Sequence, residues 1–106
     1  MRLLLDENMP TLFRSDFGPE HDVQTVRSMG WRGKKNGELL GLMTLGGFDA
    51  LITIDKNLPK QQNLARLPLA IILLRVYNNR LDTLQAILPK LLARLREPVA
   101  PGVIEI

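Results

Sequence analysis

The chain has 106 residues, 45% apolar and 24% charged, the size and balance of one globular domain spanning 1–106. It has no cysteine, which excludes a disulfide framework and a thiolate metal site. The net charge of +3 is unevenly spread: residues 1–53 carry six Lys/Arg and seven Asp/Glu, residues 54–106 eight and four.

The first predicted strand is Arg2 to Asp6, a short apolar run with an abrupt polar stop at Asp6-Glu7-Asn8. Pro10 then opens a predicted helix to Phe17, since its missing N–H is harmless in a first turn. Gly18-Pro19 stop that helix. His21 to Val26 reads as a second strand, with β-branched Val23, Thr25 and Val26. A loop rich in glycine and base follows from Arg27 to Gly37. Asn36 to Leu45 reads as a helix, with Leu39, Leu40, Leu42 and Met43 at helical spacing and Gly46-Gly47 as its end. Ala50 to Asp55 is the third strand. Lys56-Asn57-Leu58-Pro59 leads into a short polar helix or turn reaching about residue 66.

Leu69 to Val76 reads as a buried fourth strand. Asn79 to Glu97 carries a broad apolar stripe at helical period, Leu81 to Leu95, with Pro89 expected to kink or split it. That stripe is core first, and a homodimer or partner surface second. Gly102 to Ile106 is a last short strand. Strands alternating with helices imply parallel βαβ units and a layered α/β fold. The longest apolar stretch, Leu67 to Leu74, is interrupted by Pro68 and far short of the roughly 20 residues a membrane helix needs. No signal-peptide core follows Met1, and with no cysteines the expected location is cytoplasmic.

Two strands that each end in an aspartate, Asp6 and Asp55, can bring carboxylates together at the edge where open α/β sheets bind ligands. Glu38, at the start of the second helix, is the natural third member. Converging carboxylates repel unless a cation binds or a proton is shared. Oxygen donors without His or Cys select Mg²⁺ or Mn²⁺ over zinc. A cation so held would activate water for attack on a phosphoryl group. The alternative is that each acid caps its own helix or turn. Thr53 and Asn8 could orient a ligand, or serve as a core hydroxyl and an Asx turn. Asn57 could add a neutral oxygen. Trp31, among basic neighbours, could stack on a base or fold onto the core. The single histidine, His21, reads as structural. An acidic pocket beside a basic rim suits an enzyme acting on a polyanion, and a solvated surface explains the same counts.

The ordered set Leu3-Leu-Leu-Asp6-Glu7-Asn8-Met9-Pro10, His21-Asp22-Val23, Gly37-Glu38-Leu39-Leu40 and Leu51-Ile-Thr53-Ile-Asp55-Lys56-Asn57 resembles small bacterial PIN-like proteins that begin with an Asp-Glu-Asn motif. The resemblance implies a three-layer α/β/α sandwich with a central, mainly parallel sheet. It also implies an acidic Mg²⁺ or Mn²⁺ pocket and kinship with the ribonuclease toxins of toxin–antitoxin pairs. Carried over by residue, the acids are Asp6, Glu38 and Asp55, with Asn8 and Thr53 as polar neighbours. Asn57 stands where the family usually has another aspartate, which weakens the expected metal affinity. Asn36-Gly37 also replaces a more acidic lead into Glu38.

The resulting expectation is a metal-dependent endoribonuclease cutting RNA. Asp6, Glu38, Asp55 and Asn57 would lie at the metal, and Arg32, Lys34, Lys35 and Lys56 on the RNA backbone. A small antitoxin protein is the implied partner. The alternative is an inactive PIN-like module that binds RNA or protein.

Overall fold

The computed structural model describes residues 1–61 and 67–106. Its elements run in chain order: β1 (Arg2–Leu5), a 3₁₀ helix (Thr11–Phe17), β2 (Asp22–Thr25), α1 (Asn36–Leu45), β3 (Ala50–Thr53), α2 (Leu58–Gln61), β4 (Ala70–Leu73), α3 (Leu81–Leu95) and β5 (Gly102–Glu105). The five strands form one sheet in the order β2-β1-β3-β4-β5, and every pairing is parallel. The chain steps outward from β1 to β2, crosses back over β1 to β3, and continues the other way through β4 and β5. Between β1 and β3 it therefore changes direction, the switch point of a doubly wound sheet.

The two-residue strand period sorts the core into two layers. Leu3, Leu5, Val23, Ile52 and Ile72 face one side and pack against Phe13 and Phe17 of the 3₁₀ helix and Leu84, Leu88, Leu91 and Leu95 of α3. Leu4, Leu51 and Ile71 face the other side, against Leu39, Leu40 and Met43 of α1, Phe48, and Leu58 of α2. A parallel sheet covered on both faces is a three-layer α/β sandwich. Strands with no exposed face read as unbroken apolar runs, as β3 and β4 do.

The helix expected between Pro10 and Gly18 is present and winds as a 3₁₀ helix. The segment is bracketed by Pro10 and Gly18-Pro19, has no side-chain N-cap and no acid in its first turn, and is too short for a well-nucleated α-helix. It is held from outside: Phe13 and Phe17 are buried and meet edge-to-face, ring centroids 5.0 Å apart.

α1 ends at the expected glycines. Gly47 takes φ +73°, its N–H donates to Thr44 O, and the Phe48 N–H donates to Met43 O at 3.0 Å. That is a Schellman closure, with Met43 and Phe48 packed in the same core layer. It turns the chain directly into β3.

α3 is continuous through Pro89 and is not split there. Pro89 lies on the exposed face, and the buried leucines hold the helix against the sheet. The stripe is thus core. The expected turn after Leu58 is α2 as far as Gln61, and residues 62–66 lie outside the described residues. No helix among the described residues is long and apolar enough to cross a membrane.

Candidate functional site

Parallel pairing with Leu5 opposite Ile52 brings the residue after β1, Asp6, level with the last residue of β3, Thr53. The Asp6 N–H donates to Ile52 O at 3.0 Å and extends the ladder by one step. Asp6 follows Leu4 by two and Thr53 follows Leu51 by two, so both side chains leave the sheet on the α1 face. They meet there: the Thr53 hydroxyl donates to Asp6 Oδ2 at 2.7 Å. Thr53 is fully buried, so its hydroxyl must find partners within the protein.

The same hydroxyl oxygen accepts the Asp55 N–H at 3.0 Å. Asp55 Oδ1 accepts the Asn57 N–H at 2.9 Å, an Asx turn that leads the chain off β3 into α2. Asp6 Oδ1 accepts the Glu7 N–H at 2.8 Å. Thr53 therefore ties Asp6 and the start of the Asp55 turn to one point at the switch between β1 and β3. Both aspartates are half-buried.

Glu38 stands apart. Its side chain is 59% exposed and faces Lys34 at 4.0 Å, one helical turn earlier. Among the described residues no three His, Cys, Asp or Glu form a group able to hold a metal ion, and Glu38 shares no hydrogen bond with Asp6 or Asp55. What the edge does offer is the Asp6 carboxylate on the Thr53 hydroxyl, with the Asp55 backbone held to the same hydroxyl, both acids being oxygen donors. That donor chemistry fits Mg²⁺ or Mn²⁺, since Mg²⁺ commonly takes one or two carboxylates and completes its shell with water and substrate phosphate.

Asn57 is exposed, and its backbone rather than its amide steadies Asp55. Asn8 is exposed too; its carbonyl accepts from Asn79 Nδ2 at 2.7 Å and links the β1 loop to the approach to α3. Of the basic residues singled out, Arg32, Lys34, Lys35 and Lys56 are all exposed. Lys34 is engaged with Glu38. Lys56 lies in the turn beside Asp55, and Lys35 precedes α1.

A cavity of about 200 Å³ opens next to Asp6, between the ends of β1 and β2, lined among others by Asp6, Glu7, Thr25, Arg27 and Arg32. Glu7 and Arg27 were not expected to belong to the site. The signal for them was positional: Glu7 follows Asp6, and Arg27 follows β2 at the same sheet edge.

The loop that carries both arginines is built by local bonds. Ser28 and Thr25 exchange hydrogen bonds at 2.9 Å, and the Trp31 N–H donates to Val26 O at 2.9 Å. Gly30 and Gly33 take φ of +73° and +79°, a region open to glycine at no steric cost. Trp31 folds inward, edge-to-face with Phe48 at 5.7 Å, and anchors the loop to the core.

His21 lies away from this edge, half-buried, with burial holding its pKa below the usual value. Comparison with family models, with curated proteins and with solved structures finds no match for this chain.

Proposed function

We propose that the carboxyl edge of the sheet is a cation-assisted phosphodiester site, and that the protein is a Mg²⁺- or Mn²⁺-dependent endoribonuclease of PIN-like type. The observation that carries this reading is the Thr53 hydroxyl. It donates to Asp6 and accepts from the Asp55 backbone, which draws two acidic residues to one point at the switch of a doubly wound sheet. The ordered Asp6-Glu7-Asn8-Met9-Pro10 and Thr53-Ile-Asp55-Lys56-Asn57 motifs support it.

In this reading Asp6 and Asp55 hold the ion, and Asn8 and Asn57 are neutral oxygens nearby. The chemistry such an ion supplies when bound is Lewis acidity toward a phosphoryl oxygen and a more acidic water. The chain's own part is to fix the carboxylates. Thr53 pins one oxygen of Asp6, and the backbone amides of Glu7 and Asn57 pin one oxygen each of Asp6 and Asp55. Lys56 beside Asp55, and Lys35 and Arg32 in the loop before α1, are exposed and attract the polyanion backbone. Glu38 takes no direct part at the ion and contributes to the charge of the rim.

A second reading, an RNA-binding module without cleavage, is favoured by one observation: among the described residues no three acids form a metal-holding group, and Asn57 is an amide. Hydrolysis of a mixed RNA pool in Mn²⁺ separates the two. Cleavage that disappears in Asp6→Ala supports the nuclease. RNA binding without cleavage by the wild type supports the module, and cleavage that survives Asp6→Ala overturns the proposed centre.

A further inference from the structure

Arg27 and Arg32 line the cavity between β1 and β2, and among the described residues neither side chain makes an ion pair or hydrogen bond. Two guanidiniums free of side-chain partners at one small opening suit an oxyanion, because each presents a planar fork of donors matched to phosphate oxygens. The same cavity carries acceptors. Both oxygens of Asp6 are engaged, and Glu7 Oε1 accepts the Gly33 N–H at 3.3 Å. Glu7 Oε2 has no partner among the described residues and is left to accept a hydroxyl proton. Met9 and Val26 supply apolar lining.

At about 200 Å³ the cavity is below the roughly 300–1,000 Å³ of sites that hold whole drug-sized ligands, so it suits a fragment of one nucleotide.

We infer that this cavity is a ribose-phosphate subsite. The phosphate lies on Arg27 and Arg32, the ribose 2′-hydroxyl donates to Glu7, and the base stays in solvent. The inference deepens the phosphodiester reading and rests on it for placing the subsite beside a reacting centre. It adds a chemical reason for choosing RNA over DNA, since the 2′-hydroxyl is the group that distinguishes them. With the base outside, binding is indifferent to sequence. The loop between Val26 and Lys34 is held by backbone bonds and by Trp31, so the backbone that carries both arginines is set before the ligand arrives.

The test is equilibrium binding in EDTA, which keeps it independent of metal-dependent cleavage. The probes are AMP, dAMP, and tetranucleotides of riboadenylate and deoxyriboadenylate. The expected result is tighter binding of each ribo form than of its deoxy form. Arg27→Ala and Arg32→Ala each weaken binding roughly tenfold, and Glu7→Leu removes the ribo preference. All three positions are exposed, so the variants keep the fold, which circular dichroism checks. AMP binding alone identifies a free nucleotide as the source of the ribose phosphate. Tighter binding of the ribo tetranucleotide than of AMP identifies an RNA strand. Equal affinity for ribo and deoxy forms, or affinity untouched by both arginine variants, overturns the subsite. Cleavage that fails while this binding holds removes only the nuclease reading.

Discussion

The Thr53 hydroxyl donates to Asp6 Oδ2 at 2.7 Å across 47 residues of sequence, from the last position of β3 to the first position beyond β1. One β-branched side chain with no solvent contact thus decides where the two acidic turns at this edge stand relative to each other. Thr53→Val keeps the shape and removes the hydroxyl. It leaves Asp6 Oδ2 and the Asp55 N–H without that partner. The expected loss is about 1–2 kcal/mol in urea unfolding, with cleavage falling alongside. A variant as stable and active as the wild type contradicts this role.

Glu38 provides the contrast. Among the described residues its one ion pair is a long, exposed one with Lys34. Glu38→Gln is expected to change stability by less than about 0.5 kcal/mol. Its Mn²⁺ affinity should stay close to that of the wild type. A loss of Mn²⁺ binding equal to that of an Asp6 variant would restore Glu38 to the centre.

Pro89 sits inside α3 on the exposed face, where it removes one helical hydrogen bond. The leucines beneath it maintain the helix against that cost. Pro89→Ala is expected to stabilise the domain by about 1–3 kcal/mol, read as a higher Tm. An unchanged or lower Tm would show that the surrounding backbone has adapted to proline.

Acid should destabilise this fold through the end of the sheet opposite the site. Burial, and then the charge of the Met1 amino group, hold the His21 pKa below its usual 6.5, with Glu20 opposing. The unfolded chain therefore takes up this proton more readily. The stability linked to His21 is whole above about pH 6.5 and is lost as pH falls through the folded-state value. Asp22 acts in the same direction at lower pH. The hydrogen bond from Gln24, with Arg2 nearby, depresses its pKa, so its contribution is present above 3.8 and lost below the folded-state value. Urea midpoints measured from about pH 7.5 to about pH 5.5 should fall, and His21→Gln should flatten that slope. A slope unaltered by His21→Gln assigns it to other groups.

The layered fold was legible because strands buried on both faces appear as continuous apolar runs, and Ala50–Thr53 and Ala70–Leu73 are such runs. Helix ends were legible where glycine chemistry sets them, as at Gly46-Gly47. The 3₁₀ winding of Thr11–Phe17 was not, because it depends on how Phe13 and Phe17 seat in a core built by distant strands. At the site, Asp6, Thr53 and Asp55 were readable from strand ends and the two-residue period. The direction of Glu38 toward Lys34 was not, because the start of a helix fixes a backbone position but not the direction of a long, flexible side chain. The Arg27–Arg32 cavity was hidden for a related reason: it exists only once β2 pairs with β1 and Trp31 draws the loop inward.

The pairing of Asp6 with the Asp55 turn as a hard-cation site is tested most directly by titrating Mn²⁺ into the wild type and into Asp6→Asn, with binding read by calorimetry. Saturable binding to the wild type, weakened at least roughly tenfold in Asp6→Asn with Thr53 and the fold intact, is the expected result. No binding to the wild type, or equal binding to both proteins, contradicts the site.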